Sequence, residues 1–110
     1  MKVLTGSTLA EWRHSYASGQ SDPATLLHGL RASLQADDPA WIHIVSAEHL
    51  DRQLAQLRER LAAADGDTGR LALYGIPFAV KDNIDVAGMP TTAGCPAFAY
   101  EPAEHAEVVA

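Results

Sequence analysis

The chain has 110 residues, 47% apolar and 20% charged, a balance ordinary for a folded domain and too apolar for a disordered one. Its formal net charge of −6, with eight scattered Lys and Arg residues, repels nucleic acid and anionic lipid, so neither is expected as a partner. One cysteine, Cys95, excludes an internal disulfide framework and fits a reducing, cytoplasmic setting.

The opening MKVLTGSTLA lacks the apolar centre of a secretory signal, and no run approaches the roughly 18 apolar residues of a membrane span. Thr8 and Glu11 have capping-box spacing, which predicts a first helix from Thr8 to about Gly19 with Leu9, Trp12 and Tyr16 on one face. A second helix is predicted after Ser21-Asp22, with Pro23 in its first turn and Leu26, Leu27, Leu30 and Leu34 as its stripe. Asp37-Asp38-Pro39 stops it. Trp41 to Val45 reads as a short strand or extended segment. Ser46 caps a third helix over 47–64, with Leu50, Leu54, Leu57 and Leu61 at alternating four- and three-residue steps and Glu48 poised to pair with Arg52. Gly66-Asp67-Thr68-Gly69 is a loop. A strand is predicted from Leu73 to Lys81, followed by a Gly- and Pro-punctuated stretch and a helix beginning at Ala103.

That strand is apolar on both faces, as a central strand is, yet the chain offers it few partners, and a two-stranded sheet is marginal alone. The pattern therefore predicts the opening piece of a larger α/β domain.

The strand ends on Lys81-Asp82-Asn83. A lysine after an apolar run is most simply a surface residue that snorkels into water. The chemical alternative starts from desolvation. At the end of a buried strand the ammonium loses hydration, the charged form is disfavoured, and a neutral amine becomes available as a general base. Such an amine can take a proton from a serine hydroxyl, directly or through a second hydroxyl, in the Ser-Lys variant of nucleophilic catalysis.

The stretch GIPFAVKDNIDVAGMPTTAGCPAFAYEPAEHAEVV, Gly75 to Val109, resembles the N-terminal signature of the amidase signature family: Gly-x-Pro, a short strand, Lys-Asp, a Gly-containing loop, then Thr and small residues. The fuller likeness is to the allophanate hydrolase branch, through FAVKDNIDVAG, CPAFAY and the upstream DDPAWIH. The tRNA-dependent amidotransferase A subunits share Gly-Ile-Pro and Lys-Asp-Asn-Ile.

The resemblance implies an α/β fold, in which N-terminal helices lead into the first strands of a mixed sheet flanked by helices, incomplete in this chain. Residues 1–110 would then be the N-terminal part of one domain, with 1–70 a mainly helical lead-in and 71–110 the first core strand, the lysine loop and the start of the next helix. It also implies a Ser–cis-Ser–Lys triad, in which Lys81 matches the lysine and relays a proton through the bridging serine while the other serine is acylated. Both serines would come from a Gly/Ser-rich segment past Ala110, so the 110-residue chain alone is expected to be inactive. The implied partners are a small amide substrate and the remainder of the amidase domain, and a homodimer of the complete protein is compatible with them. No cofactor and no metal are implied. Thr91, Thr92 and Gly94 would shape the active-site wall. Two positions depart from the family pattern: His105 stands where members usually carry Asp, and Cys95 where many carry Ser.

The remaining candidates read more simply. Cys95 is expected to be a small buried apolar residue rather than a nucleophile. His14, His28, His43, His49 and His105 show neither HExxH spacing nor a CxxC partner, so no metal site is expected. Asp82 and Asn83 are expected to form the turn and hold the loop by side-chain-to-backbone hydrogen bonds. Trp12, Tyr16 and Trp41 are expected in the core. Two rivals stay open: a non-catalytic remnant or interaction module, and an amidase of the same family acting on another amide.

Overall fold

The computed structural model describes residues 6–110. The first five, on which the reading of the opening MKVLTGSTLA partly rests, lie outside the described residues. The chain divides into two compact units, one comprising residues up to Leu34 with Ser46–Pro77, the other Gln35–Val45 with Phe78–Ala110.

The first unit is built from helices whose starts are set by local side-chain chemistry. Helix α1, Leu9–Ala17, opens with the predicted reciprocal cap: the Glu11 amide donates to Thr8 Oγ1 (3.2 Å), and the Thr8 amide donates to the Glu11 carboxylate (2.6 Å). Helix α2, Pro23–Ser33, is capped by Asp22, which accepts from the Thr25 amide (2.9 Å) and hydroxyl (2.7 Å). The Thr25 hydroxyl, followed by the amide, holds the Asp22 carboxyl below the usual carboxylate range. Helix α3, Ala47–Ala63, is capped by Ser46, which accepts from the His49 amide at 3.1 Å.

Their apolar faces meet in a small core. Trp12, Tyr16 and Leu26 are buried together, with Leu27, Leu30, Tyr74 and Ile76 packed against them. Leu9 departs from the expected stripe: it lies at the first residue of α1, 57% exposed, one turn outside the ring cluster. α2 packs on α3, where Leu50 and Leu54 are buried while Leu57 and Leu61 are half-buried. The predicted Glu48–Arg52 pair is not formed among the described residues. α3 instead uses Asp51, whose Oδ1 lies 2.8 Å from His28 Nε2 on α2, an exposed pair that adds little stability.

Tyr16 carries a long-range polar tie across this core. It packs edge-on against Tyr74 (ring centroids 5.5 Å apart, 82°), and its hydroxyl donates to the Gly75 carbonyl at 2.7 Å in a buried setting. Burial pushes the Tyr16 phenol pKa up, since a phenolate there would lack water. Tyr16→Phe should lower stability in urea denaturation by about 1–2 kcal/mol, because it leaves the buried Gly75 carbonyl without a donor.

Among the described residues no strand forms, and the predicted strand from Leu73 to Lys81 is replaced by a turn and an irregular segment. Tyr74 N–H donates to Leu71 C=O and Ile76 N–H to Leu73 C=O, at 3.0 and 3.1 Å. Tyr74, Gly75 and Ile76 turn into the core, while Leu73 and Phe78 stand 68% and 69% exposed, so the apolar run is only partly covered by the described residues. The reason is that a strand exists only through hydrogen bonds to a neighbour, and no other described segment offers a ladder. Trp41 to Val45 likewise joins no sheet, and Trp41 is half-buried rather than a core residue. The helix predicted at Ala103 reduces to one turn, in which Ala110 N–H donates to Ala106 C=O at 3.1 Å.

Candidate active site

The second unit is a weave of loops held by two aspartates. Lys81 opens a turn in which the Ile84 amide donates to its carbonyl at 2.9 Å. The Asp82 side chain, next in sequence, reaches back to the Thr-Thr-Ala-Gly segment. Its Oδ1 accepts from the Thr92 amide (3.0 Å), and its Oδ2 accepts from the Thr92 hydroxyl and from the Gly94 amide (3.1 Å). The Asp82 carbonyl accepts from the Ala93 amide at 3.1 Å. The Thr92 hydroxyl, then the Gly94 and Thr92 amides, hold the Asp82 carboxyl below the usual carboxylate range, with a smaller contribution from His43.

This clamp explains the backbone it closes on. Ala93 has φ 51° and Gly94 φ 71°, two successive left-handed residues. Glycine adopts that conformation freely, whereas alanine adopts it at a cost. The hydrogen bond from the Ala93 amide and the pair flanking it fix the turn in place.

The second aspartate works on the other end of the same segment. Asp85 Oδ1 accepts from the Thr91 hydroxyl at 2.9 Å and from the Tyr100 hydroxyl at 2.5 Å, and the latter bond raises the Tyr100 phenol pKa. Thr91 and Tyr100 also exchange both backbone hydrogen bonds, at 2.8 and 3.0 Å, in an isolated antiparallel bridge. Thr91 is 3% exposed, so its hydroxyl requires the partner that Asp85 supplies. The Ala106 amide donates to the Asp85 carbonyl (2.9 Å) and the Gly88 amide to Pro102 (3.2 Å), joining the segment beyond Tyr100 to the lysine turn.

The predicted site residues are thus sorted. Thr91, Thr92 and Gly94 are brought against Asp82 and Asp85. Asp82 holds the loop as expected, while Asn83 is exposed. Lys81 is exposed, and its amine makes no hydrogen bond among the described residues, so the desolvation expected of a base is not supplied by this chain's own side chains. Cys95, expected to be buried, is exposed at the start of the short 3₁₀ segment Pro96–Phe98. His105 does not charge-complement a helix. Its Nδ1 accepts from the Ala87 amide at 3.0 Å, which pins the lysine-side loop to the segment after Pro102. Among the described residues no group of three His, Cys, Asp or Glu side chains gathers to hold a metal ion, and no helix is long and apolar enough to cross a membrane.

Asp85 and Tyr100 went unnoticed in the sequence. A signal was there for the first: an acid between Ile84 and Val86, inside an apolar stretch, calls for a partner.

The family model described as Amidase matches residues 26–110, a span that includes the lysine turn and both clamped threonines. This chain belongs to the amidase family. The urea amidolyase of Saccharomyces cerevisiae is 40% identical over 111 residues, covering 98% of this chain and 6% of that protein. The A-type subunit of the glutamyl-tRNA(Gln) amidotransferase of Deinococcus radiodurans is 37% identical over 87 residues, covering 79% of this chain and 17% of that protein. Among solved structures, an allophanate hydrolase of Kluyveromyces lactis superposes with a TM-score of 0.80 at 38% identity, covering 94% of this chain and 17% of that one. The chain therefore spans only a small part of the amidases it matches. The family expected from Gly75 to Val109 is the one found, and the likeness in fold is to an allophanate hydrolase.

Proposed function

We propose that this segment supplies the lysine of an amidase active site, and that the complete protein hydrolyses allophanate with release of ammonia. The observation that carries this reading is the superposition of 94% of the chain on an allophanate hydrolase at 38% identity. The clamped turn beside Lys81 supports it physically, because a base on a flexible side chain needs a fixed root.

In this reading the exposed run around Phe78 is covered by sheet strands supplied from elsewhere in the domain, and that cover dehydrates the Lys81 amine. Two serines contributed from outside these residues complete the triad. The neutral amine takes a proton from the bridging serine, which takes one from the nucleophilic serine as that oxygen attacks the amide carbonyl. The C–N bond breaks as the ammonium returns its proton through the bridging serine to the departing nitrogen, which leaves as ammonia. Water then attacks the acyl-enzyme, giving a proton to the neutral amine by the same path, and that proton is returned to the nucleophilic serine as the acyl group leaves.

The test is ammonia release by the complete protein from allophanate, with glutamine and simple amides as comparators. Allophanate should be turned over with the highest kcat/KM, and the 110-residue chain alone should release no ammonia from it. A preference for glutamine would overturn the allophanate assignment and favour the amidotransferase-like reading suggested by the Deinococcus radiodurans relative.

A further inference from the structure

We propose that Thr92, acting through the Asp82 carboxylate, is a positioning residue for the Lys81 amine. The inference rests on the reading of Lys81 as the proton-relay base, and it assigns a role to a hydroxyl bonded to Asp82 and not to the lysine.

Little among the described residues holds the Lys81 side chain itself. Its side chain is exposed and makes no hydrogen bond among the described residues, so these residues constrain its long flexible stem only at its root. That root is unusually well fixed. Its own carbonyl closes the turn with the Ile84 amide, and Asp82 is tied to 92–94 by its carbonyl and by both carboxylate oxygens. Both a main-chain and a side-chain acceptor of one residue are thus spent on three successive residues of a single loop. Thr92 is the centre of that set, giving Asp82 its amide on one oxygen and its hydroxyl on the other. The Gly94 amide also lies 3.2 Å from the Thr92 oxygen, so the hydroxyl stands between the carboxylate and the left-handed pair.

A non-glycine residue in the left-handed region, as Ala93 is, persists only where its surroundings over-determine it. Here the over-determining groups are those that anchor the lysine turn. From the far side, Asp85 and the backbone of Tyr100 hold Thr91, so the segment keeps these ties if Thr92 lets go. Removing the hydroxyl should therefore leave the loop folded and shift the root of Lys81 slightly. Proton relay requires donor and acceptor to approach within about 3 Å, and a misplacement of about 1 Å can cost about 100-fold in rate. Ground-state binding of the amide does not depend on that approach, so the loss should appear in kcat and not in KM.

The experiment compares Thr92→Val, Thr92→Ser, Lys81→Ala and the double variant Lys81→Ala/Thr92→Val in the complete amidase, with allophanate as substrate. Thr92→Val keeps the shape and removes the hydroxyl; its kcat should fall about 10- to 100-fold with KM within about twofold. Thr92→Ser restores the hydroxyl and should recover most of that loss. In the Lys81→Ala background, Thr92→Val should produce no further loss, because a residue acting through the amine has nothing left to position. If Thr92→Val does not fold, Thr92→Ala carries the same expectations. The proposal is overturned if the hydroxyl-free variant keeps wild-type kcat, if Thr92→Ser is as impaired as Thr92→Val, or if the loss repeats undiminished without Lys81. Full activity in Lys81→Ala would instead remove the underlying reading and this inference with it. An inactive Lys81→Ala beside an unimpaired Thr92→Val sinks the inference alone.

Discussion

Gly75→Ala should destabilise the protein by about 3 kcal/mol. Gly75 is buried with φ 65°, where an L side chain is strained by about 1–2 kcal/mol. The added Cβ would also stand 2.7 and 2.8 Å from Tyr16 Cε2 and Cζ and 3.0 Å from Pro23 Cγ. None of these neighbours can yield cheaply. Tyr16 is wedged against Trp12 and Tyr74, and its hydroxyl is hydrogen-bonded to the carbonyl of Gly75 itself. Pro23 is a ring at the start of α2. The first residue of the Gly-Ile-Pro motif is therefore explained by a close approach between backbone and ring, with no appeal to catalysis. Urea denaturation of Gly75→Ala checks it, and a change below about 1 kcal/mol would show that Tyr16 has room to move.

If Lys81 is the relay base of the proposed allophanate-hydrolysing enzyme, Lys81→Ala in the complete protein should reduce kcat for allophanate at least about 1,000-fold, the scale of a lost general base. KM should stay within a few-fold, because the amine is assigned to proton transfer and not to substrate binding. In the 110-residue chain, where Lys81 is exposed, stability should change by less than about 0.5 kcal/mol. The Lys81 side chain is exposed and makes no hydrogen bond among the described residues, so removing it leaves the turn and its Asp82 anchor in place. A large kcat loss in the complete protein, with an unmoved melting transition in the 110-residue chain, separates a base from a lysine that holds the turn. Parallel kinetics and calorimetry on the two proteins provide it.

The helices were legible because their signals are local. Thr8 with Glu11, Asp22 with Pro23, and Ser46 each act within three residues of a helix start, and the leucine steps of α2 and α3 report the face each helix buries. The predicted strand failed for the opposite reason. An apolar run states that something should cover it, not what covers it, and Phe78 at 69% exposure shows that these residues do not. Asp82 was readable as a loop-holding residue from its type and place, but its partners lie ten and twelve positions away, beyond any periodic pattern. Asp85 and Tyr100 were hidden by the same kind of separation, fifteen residues bridged by one hydrogen bond. Lys81 itself was legible only through the run that surrounds it. Physics alone reads a lysine at the end of an apolar stretch as a surface residue, and Gly-Ile-Pro-Phe-Ala-Val-Lys-Asp gives it a family context.

The most direct test of the account is the substitution Lys81→Arg in the complete amidase, assayed by ammonia release from allophanate. Arginine keeps a positive charge and N–H donors on a long side chain, but it does not give up its proton in a protein. If the amine works by taking a proton, Lys81→Arg should be as inactive as Lys81→Ala. Activity of Lys81→Arg within tenfold of wild type would show that position 81 serves as a fixed cation, and the proton relay would be wrong.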